Sequence, residues 1–515
     1  MPSLNDIANI TILTAAAQVS RKGFGTALIF GGAAAAKYES ALTTLYASPD
    51  EMIAKGYLAT DPEYLAAVAL KAQTPCPVNF KIGKRSNLPT QAITVTPTAK
   101  NLTAYSAVVD GLTATYTSDA SGTVAEIVTG LKAAIDALAP SAWVKNHAYT
   151  KGDKVSQSGR RYTCITTGTS ENSDSGGPTK AGNDVRSKDT TDGSAHWKFV
   201  GIVPTVTDGT TYLGVASPIA GEYFDFVVAD FNLLRAQQSH ADNAAATDLA
   251  SIALADSDWY ALVDCFPSFI AGGNGQTPAV VAWVESAGKI HGFSATDGGI
   301  PSAATDDVMT WLMAAGYTRT FGMFHPDASQ FFDAAWFGAR LPLDPGSETW
   351  AYCKLAGITA VQMTPAQQNY CTGAAATAYA TGKACNIYVV IGGIAATWPG
   401  LVGAREFIDK VRGIDALKDE AQVDVYERIV SASSAGSKIP FTDAGISVIK
   451  AALAKALKKF SDLGFLTPGS TFVTAPAAAD VASLDKQARV LTGVKAGGTI
   501  AGAVHELVAT ITLTY

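Results

Sequence analysis

This sequence is short of charge: Asp, Glu, Lys and Arg make up 16% of its 515 residues, against about 25% in a typical soluble domain. A lone globule of this size has ample surface to cover with charge. The shortage therefore points either to extensive contact with other protein or to a chain simply rich in Ala, Gly and Thr. Basic runs are missing too. With 38 Lys and Arg against 45 Asp and Glu, a net charge of −7, no segment is suited to track a phosphate backbone, which argues against nucleic-acid binding. Long apolar runs are also absent. The uncharged stretch Asn386 to Ala404 is broken by Thr397, Pro399 and several glycines, and reads as a buried strand running into a loop rather than a membrane span. Met1 to Ile12 has neither a basic nor an apolar signal-like region, so no secretory signal is expected.

Chemistry-bearing patterns are equally sparse. The six cysteines show no CxxC spacing, so a reduced compartment is the simplest expectation. The six histidines include no i, i+4 pair, and no Walker loop, GxSxG elbow, HExxH or EF-hand pattern occurs, so no metal, cofactor or catalytic residue is expected. His325, before Pro326 and Asp327, reads as structural. Asp306 and Asp307 suit a helix N-terminus, which favours negative charge.

What is present is a mixed rhythm of strands and helices. Phe24 to Phe30 reads as a buried strand. Ser48, Pro49, Asp50 and Glu51 suggest a capping box, Asp61 and Pro62 a second helix start, and Val78 to Ile82 a returning strand, together a βαβ-type unit. Alternation from Ala92 to Thr117 around Asp110 and Gly111 predicts a hairpin, and Thr123 with Glu126 predicts a capped helix. Beyond Gly221, strands are expected at Val280 to Val284, Thr318 to Phe324 and Ile387 to Ile391. Helices are expected at Thr305 to Ala315, Ala328 to Ala339 and after Thr442. Two alternating strands, Ile10/Ile12 and Leu507, Ala509, Ile511, Leu513 and Tyr515, have no local hairpin partner and read as inter-subunit arms.

Between Trp143 and Val203 the chain turns polar, with isolated aromatics. Trp143, Tyr149, Gly152, Asp153, Val155, Gly159, Tyr162, Cys164 and Trp197 follow the order of the small chitin-binding modules of polysaccharide hydrolases, which this segment resembles. Their aromatic rings either stack on the apolar faces of sugars or form a mini-core. Trp143, Tyr149, Tyr162 and Trp197 are the candidates, with Trp197 expected to be the exposed platform. The loop from Thr167 to Thr191 departs from the compact family pattern.

The rest of the chain resembles the contractile-tail sheath proteins of myophages. The resemblance is carried by Ile10/Ile12 with Gly23-Phe24-Gly25-Thr26, the Tyr105 to Tyr116 hairpin, the Thr123 helix, Gly346-Ser347-Glu348-Thr349-Trp350, Gly403 with Phe407-Ile408-Asp409, Arg489 and Ile500 to Tyr515. Lys438-Ile439-Pro440-Phe441-Thr442-Asp443-Ala444-Gly445-Ile446 is its most distinctive stretch.

The resemblance implies a layered α/β (mixed α+β) core with terminal strand arms and a small all-β decoration. The expected division is 1–90 (N-terminal arm and βαβ part), 91–140 with 204–224 (β-rich subdomain), 141–203 (insert) and 225–515 (α/β core and C-terminal arm). It further implies a structural subunit rather than an enzyme, stacked as hexameric rings on a tail tube and meeting baseplate and tail-terminator proteins. Such a subunit is assembled in the host cytoplasm, resides in the virion tail, and contracts to drive the tube through the host envelope. Host glycan is a further expected partner of the insert; stable membrane insertion is not expected. The competing reading is a secreted carbohydrate-active enzyme or an adhesin with an internal binding module.

Overall fold

A computed structural model describes residues 24–240, 242, 244–270, 273 and 275–507. The expected arm residues Ile10, Ile12, Ala509, Ile511, Leu513 and Tyr515 lie outside the described residues.

The body is organised on a six-stranded sheet. Its spatial order is Thr320–Phe324, Ile290–Ala295, Ala261–Asp264, Ala27–Phe30, Phe80–Gly83 and Thr43–Tyr46. All neighbours are parallel except Thr43–Tyr46, which closes one edge antiparallel to Phe80–Gly83. A parallel sheet needs cover on both faces, and the strand residues sort accordingly. Ala27, Ile29 and Val263 pack with Ala66, Ala67, Leu70, Phe332 and Trp336, from helices Pro62–Lys71 and Phe332–Arg340. Leu28, Phe30 and Leu262 pack with Leu249, Ile252, Val280 and Val284, from helices Ala245–Ala255 and Gln276–Ala287.

The last of these helices corrects the expected strand at Val280 to Val284. Val280, Val281 and Val284 are buried at i, i+1 and i+4, the spacing of one helix face, and the β-branched run is overridden by packing. The helix at Pro49–Lys55 is present, but Ser48 makes no side-chain cap. Glu51 instead accepts from the Ala47 N–H at 3.0 Å, so the expected capping box does not form.

A β-rich unit sits beside the sheet. Ala92–Pro97 pairs with Leu213–Ala216 and Leu234–Gln238, and the Ala104–Val109/Leu112–Thr117 hairpin pairs onward with Phe226–Val228. Asp110 and Gly111 both take positive φ, 47° and 75°, as a two-residue hairpin turn requires. Thr123 and Glu126 close a full capping box on helix Val124–Asp136. Strands from residues 226–238 thus belong to this unit, beyond the residue-224 boundary read from the sequence.

Toward the C-terminus, helix Ile408–Ser434 packs against helix Asp443–Asp462, whose N-cap Thr442 accepts from the Gly445 N–H. Against the second helix lies a two-stranded sheet, Phe472–Thr474 with Lys495–Gly497.

Candidate functional site

The insert is a four-stranded antiparallel sheet, ordered Thr190–Asp192, Ala195–Ile202, Arg160–Thr166 and Lys154–Gln157. A short pairing of Ala148–Tyr149 with Gly168–Thr169 lies beside it. Along Ala195–Ile202 the buried residues Ala195, Trp197 and Phe199 alternate with His196 and Lys198. Trp197 is therefore a core residue at 0% exposure, which corrects the expectation of an exposed platform: its ring meets Tyr149 edge-on at 4.8 Å. Tyr149 and Tyr162 are buried as well, Tyr162 giving its hydroxyl hydrogen to the Val185 carbonyl at 2.8 Å. Of the four aromatic candidates only Trp143 is half-buried.

Asp192, fully buried, organises these rings. Its Oδ2 accepts the indole N–H of Trp143 at 2.7 Å and of Trp197 at 3.2 Å, while Oδ1 accepts the backbone N–H of Glu171 and of Gly177, each at 3.0 Å. Four donors meet the roughly four lone-pair sites of one carboxylate. The 167–191 loop is tied down by that carboxylate, which a sequence motif built on aromatics and glycines does not reveal.

The same loop fastens the insert to the body. Arg186, buried, donates to Asp61 at the start of helix Pro62–Lys71 and to Glu222 at 2.8 Å, and its guanidinium lies 5.2 Å from the Phe199 ring centre. Arg160 reaches Glu222 at 3.1 Å and Lys37 pairs with Asp184. The insert core is continuous with that of the β-rich unit, through residues such as Phe199, Ile202, Leu213 and Phe226.

At the other end of the chain, His505 enters an aromatic socket. Phe407, Tyr352 and Trp398 lie 5.1, 5.8 and 6.0 Å from it between ring centres, and its Nε2 pairs with the Thr349 hydroxyl at 2.8 Å. Burial lowers its pKa. Leu507, two residues on, is exposed and belongs to no strand. In the two-stranded sheet nearby in sequence, neither strand has a second strand partner among the described residues, and Phe472 is half exposed.

The remaining sequence candidates are structural in their contacts. His325 is buried with both ring nitrogens on backbone: Nδ1 accepts the Asp327 N–H at 3.1 Å and Nε2 lies 3.0 Å from the Thr359 carbonyl. Asp307 caps helix Val308–Ala315 and pairs with Lys383 at 2.7 Å. Among the described residues no group of three or more His, Cys, Asp or Glu is placed to hold a metal ion, and no helix is long and apolar enough to cross a membrane.

Residues 142–176 match the carbohydrate-binding module family 5/12 model. No curated protein matches the chain. Among solved structures, it is similar to a sheath tail protein of Desulfitobacterium hafniense, with 11% identity, 90% of this chain and 93% of that chain covered, and a TM-score of 0.41. It is also similar to the helical sheath of the anti-feeding prophage in the contracted state (12% identity, 53% and 75% covered, TM-score 0.39). A third is the PVC sheath complex of an extracellular contractile injection system, also contracted (14% identity, 52% and 74% covered, TM-score 0.35).

Proposed function

We propose that the chain is a structural subunit of a contractile tail sheath, carrying a carbohydrate-binding-like decoration. The observation that carries this reading is the Phe472–Thr474/Lys495–Gly497 sheet: two short strands on a helical support, with outer edges open among the described residues. Open edges are templates for added strands, and the chain's terminal segments carry alternating strand patterns with no local partner. Arms from neighbouring copies that complete this sheet would link subunits into hexameric rings stacked on a tail tube, between baseplate and terminator. Contraction would release an extended lattice into one with more intersubunit burial, driving the tube through the host envelope without nucleotide chemistry. This places the protein in the virion tail, assembled in the host cytoplasm, and gives it no catalytic role. The low charge fraction fits a body covered by neighbours. The order of the sheath-like motifs, above all Lys438 to Ile446, supports the same reading.

The insert, fastened by Arg186 and built on a module-like fold, is read as an outward decoration with weak glycan affinity centred on Trp143. A glycan array with Trp143→Ala tests that part: equal signals overturn it. Deleting residues 506–515 tests the whole. The reading expects a folded subunit that forms no tubes by electron microscopy, and tubes of normal appearance overturn it.

A further inference from the structure

The seam between insert and body encloses an open-mouthed cavity of about 240 Å³. It lies beyond the carboxyl end of the central strand, where Gly31 and Gly32 lead into Ala34, next to the point at which strand order reverses between Ala27–Phe30 and Ala261–Asp264. Crevices at this place in a parallel sheet are where ligands are held. Ala59 and Thr60, both exposed, stand at the mouth. The wall is anionic: Asp61, Glu63, Asp110 and Asp225 face one cation, Arg186.

That cation is already committed, to Asp61 and Glu222, although its Nε has no partner. Asp61 is committed too, its second oxygen accepting the Leu58 N–H at 2.8 Å. The other three carboxyls each keep a buried oxygen without a hydrogen bond: Glu63 Oε2, Asp110 Oδ2 and Asp225 Oδ1. Glu63 is fully buried, and its Oε1 is occupied by the Gly32 N–H at 2.5 Å. Asp110 Oδ2 has the Arg161 guanidinium at 4.0 Å. Burial, with Asp327 and Asp110 nearby, pushes the Asp225 carboxyl up to about 7. Buried acceptors left unpaired cost free energy that a bound donor recovers.

We propose that this cavity binds an organic cation with several N–H donors, a guanidinium or primary ammonium group, which bridges Asp110 and Asp225 of the β-rich unit to Glu63 of the body. A bare metal ion does not suit it, because these carboxyls do not converge as a ligand set among the described residues. A planar, multi-donor cation can span acceptors set apart, and its fork matches carboxylate oxygens. The same chemistry arrives either as a free small molecule or as an Arg or Lys side chain of a second copy.

Calorimetric titration of the full-length protein with agmatine is the test, with tetramethylammonium as a cation lacking N–H donors. Agmatine is expected to bind saturably, and Asp225→Asn to weaken it about ten- to hundredfold, the value of a charge-assisted hydrogen bond. Asp110→Asn carries the same expectation if the first variant does not fold. Sedimentation separates the sources: agmatine that dissociates self-assembled protein identifies a side chain of a second copy, and agmatine that leaves assembly unchanged identifies a free ligand. No agmatine binding, binding equal in both variants, or equal binding of tetramethylammonium overturns the proposal.

Discussion

Trp197 donates its indole N–H to Asp192 at 3.2 Å inside the insert, and the same carboxylate oxygen also receives Trp143. The ring expected to face a ligand is instead the one that fixes the fold. Removing the carboxylate would strand four donors. Asp192→Ala is expected to destabilise the insert by about 2–4 kcal/mol, since each buried unsatisfied group costs about 1–3 kcal/mol and neighbours relax. Tryptophan fluorescence during urea unfolding reads this as an earlier insert transition with the body transition unchanged.

The seam gives a pH dependence of definite sign. Asp225 titrates near 7 in the fold against an ordinary value of 3.8. Its ionised form is thus disfavoured when folded, so its contribution to stability is best below about pH 4, falls as pH rises toward about 7, and is flat beyond. Asp225→Asn cannot ionise. Thermal melts between about pH 5 and pH 8 should show a smaller downward drift in Tm for this variant than for wild type; parallel drifts would show that Asp225 does not titrate there.

Much of the architecture was readable where one kind of residue dominates a period. Ile127, Leu131 and Ile135, with Thr123 and Glu126 at the cap, declare their helix outright. Helix Ile408–Ser434 does not, because its buried positions include Arg412, Asp415, Asp419, Glu420 and Asp424 rather than an apolar stripe. Arg319 forks onto Asp415 at 2.6 and 2.7 Å, a pairing between residues far apart in the chain. Motif order alone misplaces Trp197: the alternation of Ala195, Trp197 and Phe199 with His196 and Lys198 marks an inward strand face. The seam carboxyls come from three separate segments, and nothing local in the sequence brings them together.

His505 secures the segment that leads to the C-terminal arm. Its lowered pKa means the socket prefers neutral imidazole. The contribution is complete above the ordinary histidine pKa of about 6.5 and is lost as pH falls through the lowered value. Thr349 and the hydroxyls of Tyr352 and Tyr379 offer no negative charge to offset protonation, and Glu506 is the adjacent acid. Once the intrinsic slowing of amide exchange at lower pH is divided out, hydrogen exchange at 501–507 should quicken on acidification. In His505→Phe that extra acceleration should vanish; an identical acid response in the variant would rule out His505 as its origin.

The strand-addition surface can be tested without touching the arms. Ala496→Pro removes a backbone donor and fixes φ in the Lys495–Gly497 strand. The expected outcome is a subunit with a melting temperature within a few degrees of wild type, consistent with an exposed two-stranded sheet contributing about 1 kcal/mol, that sediments as a monomer. Assembly equal to wild type would show that this sheet does not join subunits.

Negative-stain electron microscopy of the purified, concentrated protein tests the central claim most directly. The sheath reading predicts rings or hollow tubes of uniform diameter, with extra density on their outer surface where the insert projects. Dispersed single particles under all assembly conditions, in a sample whose circular dichroism shows a folded chain, would contradict it.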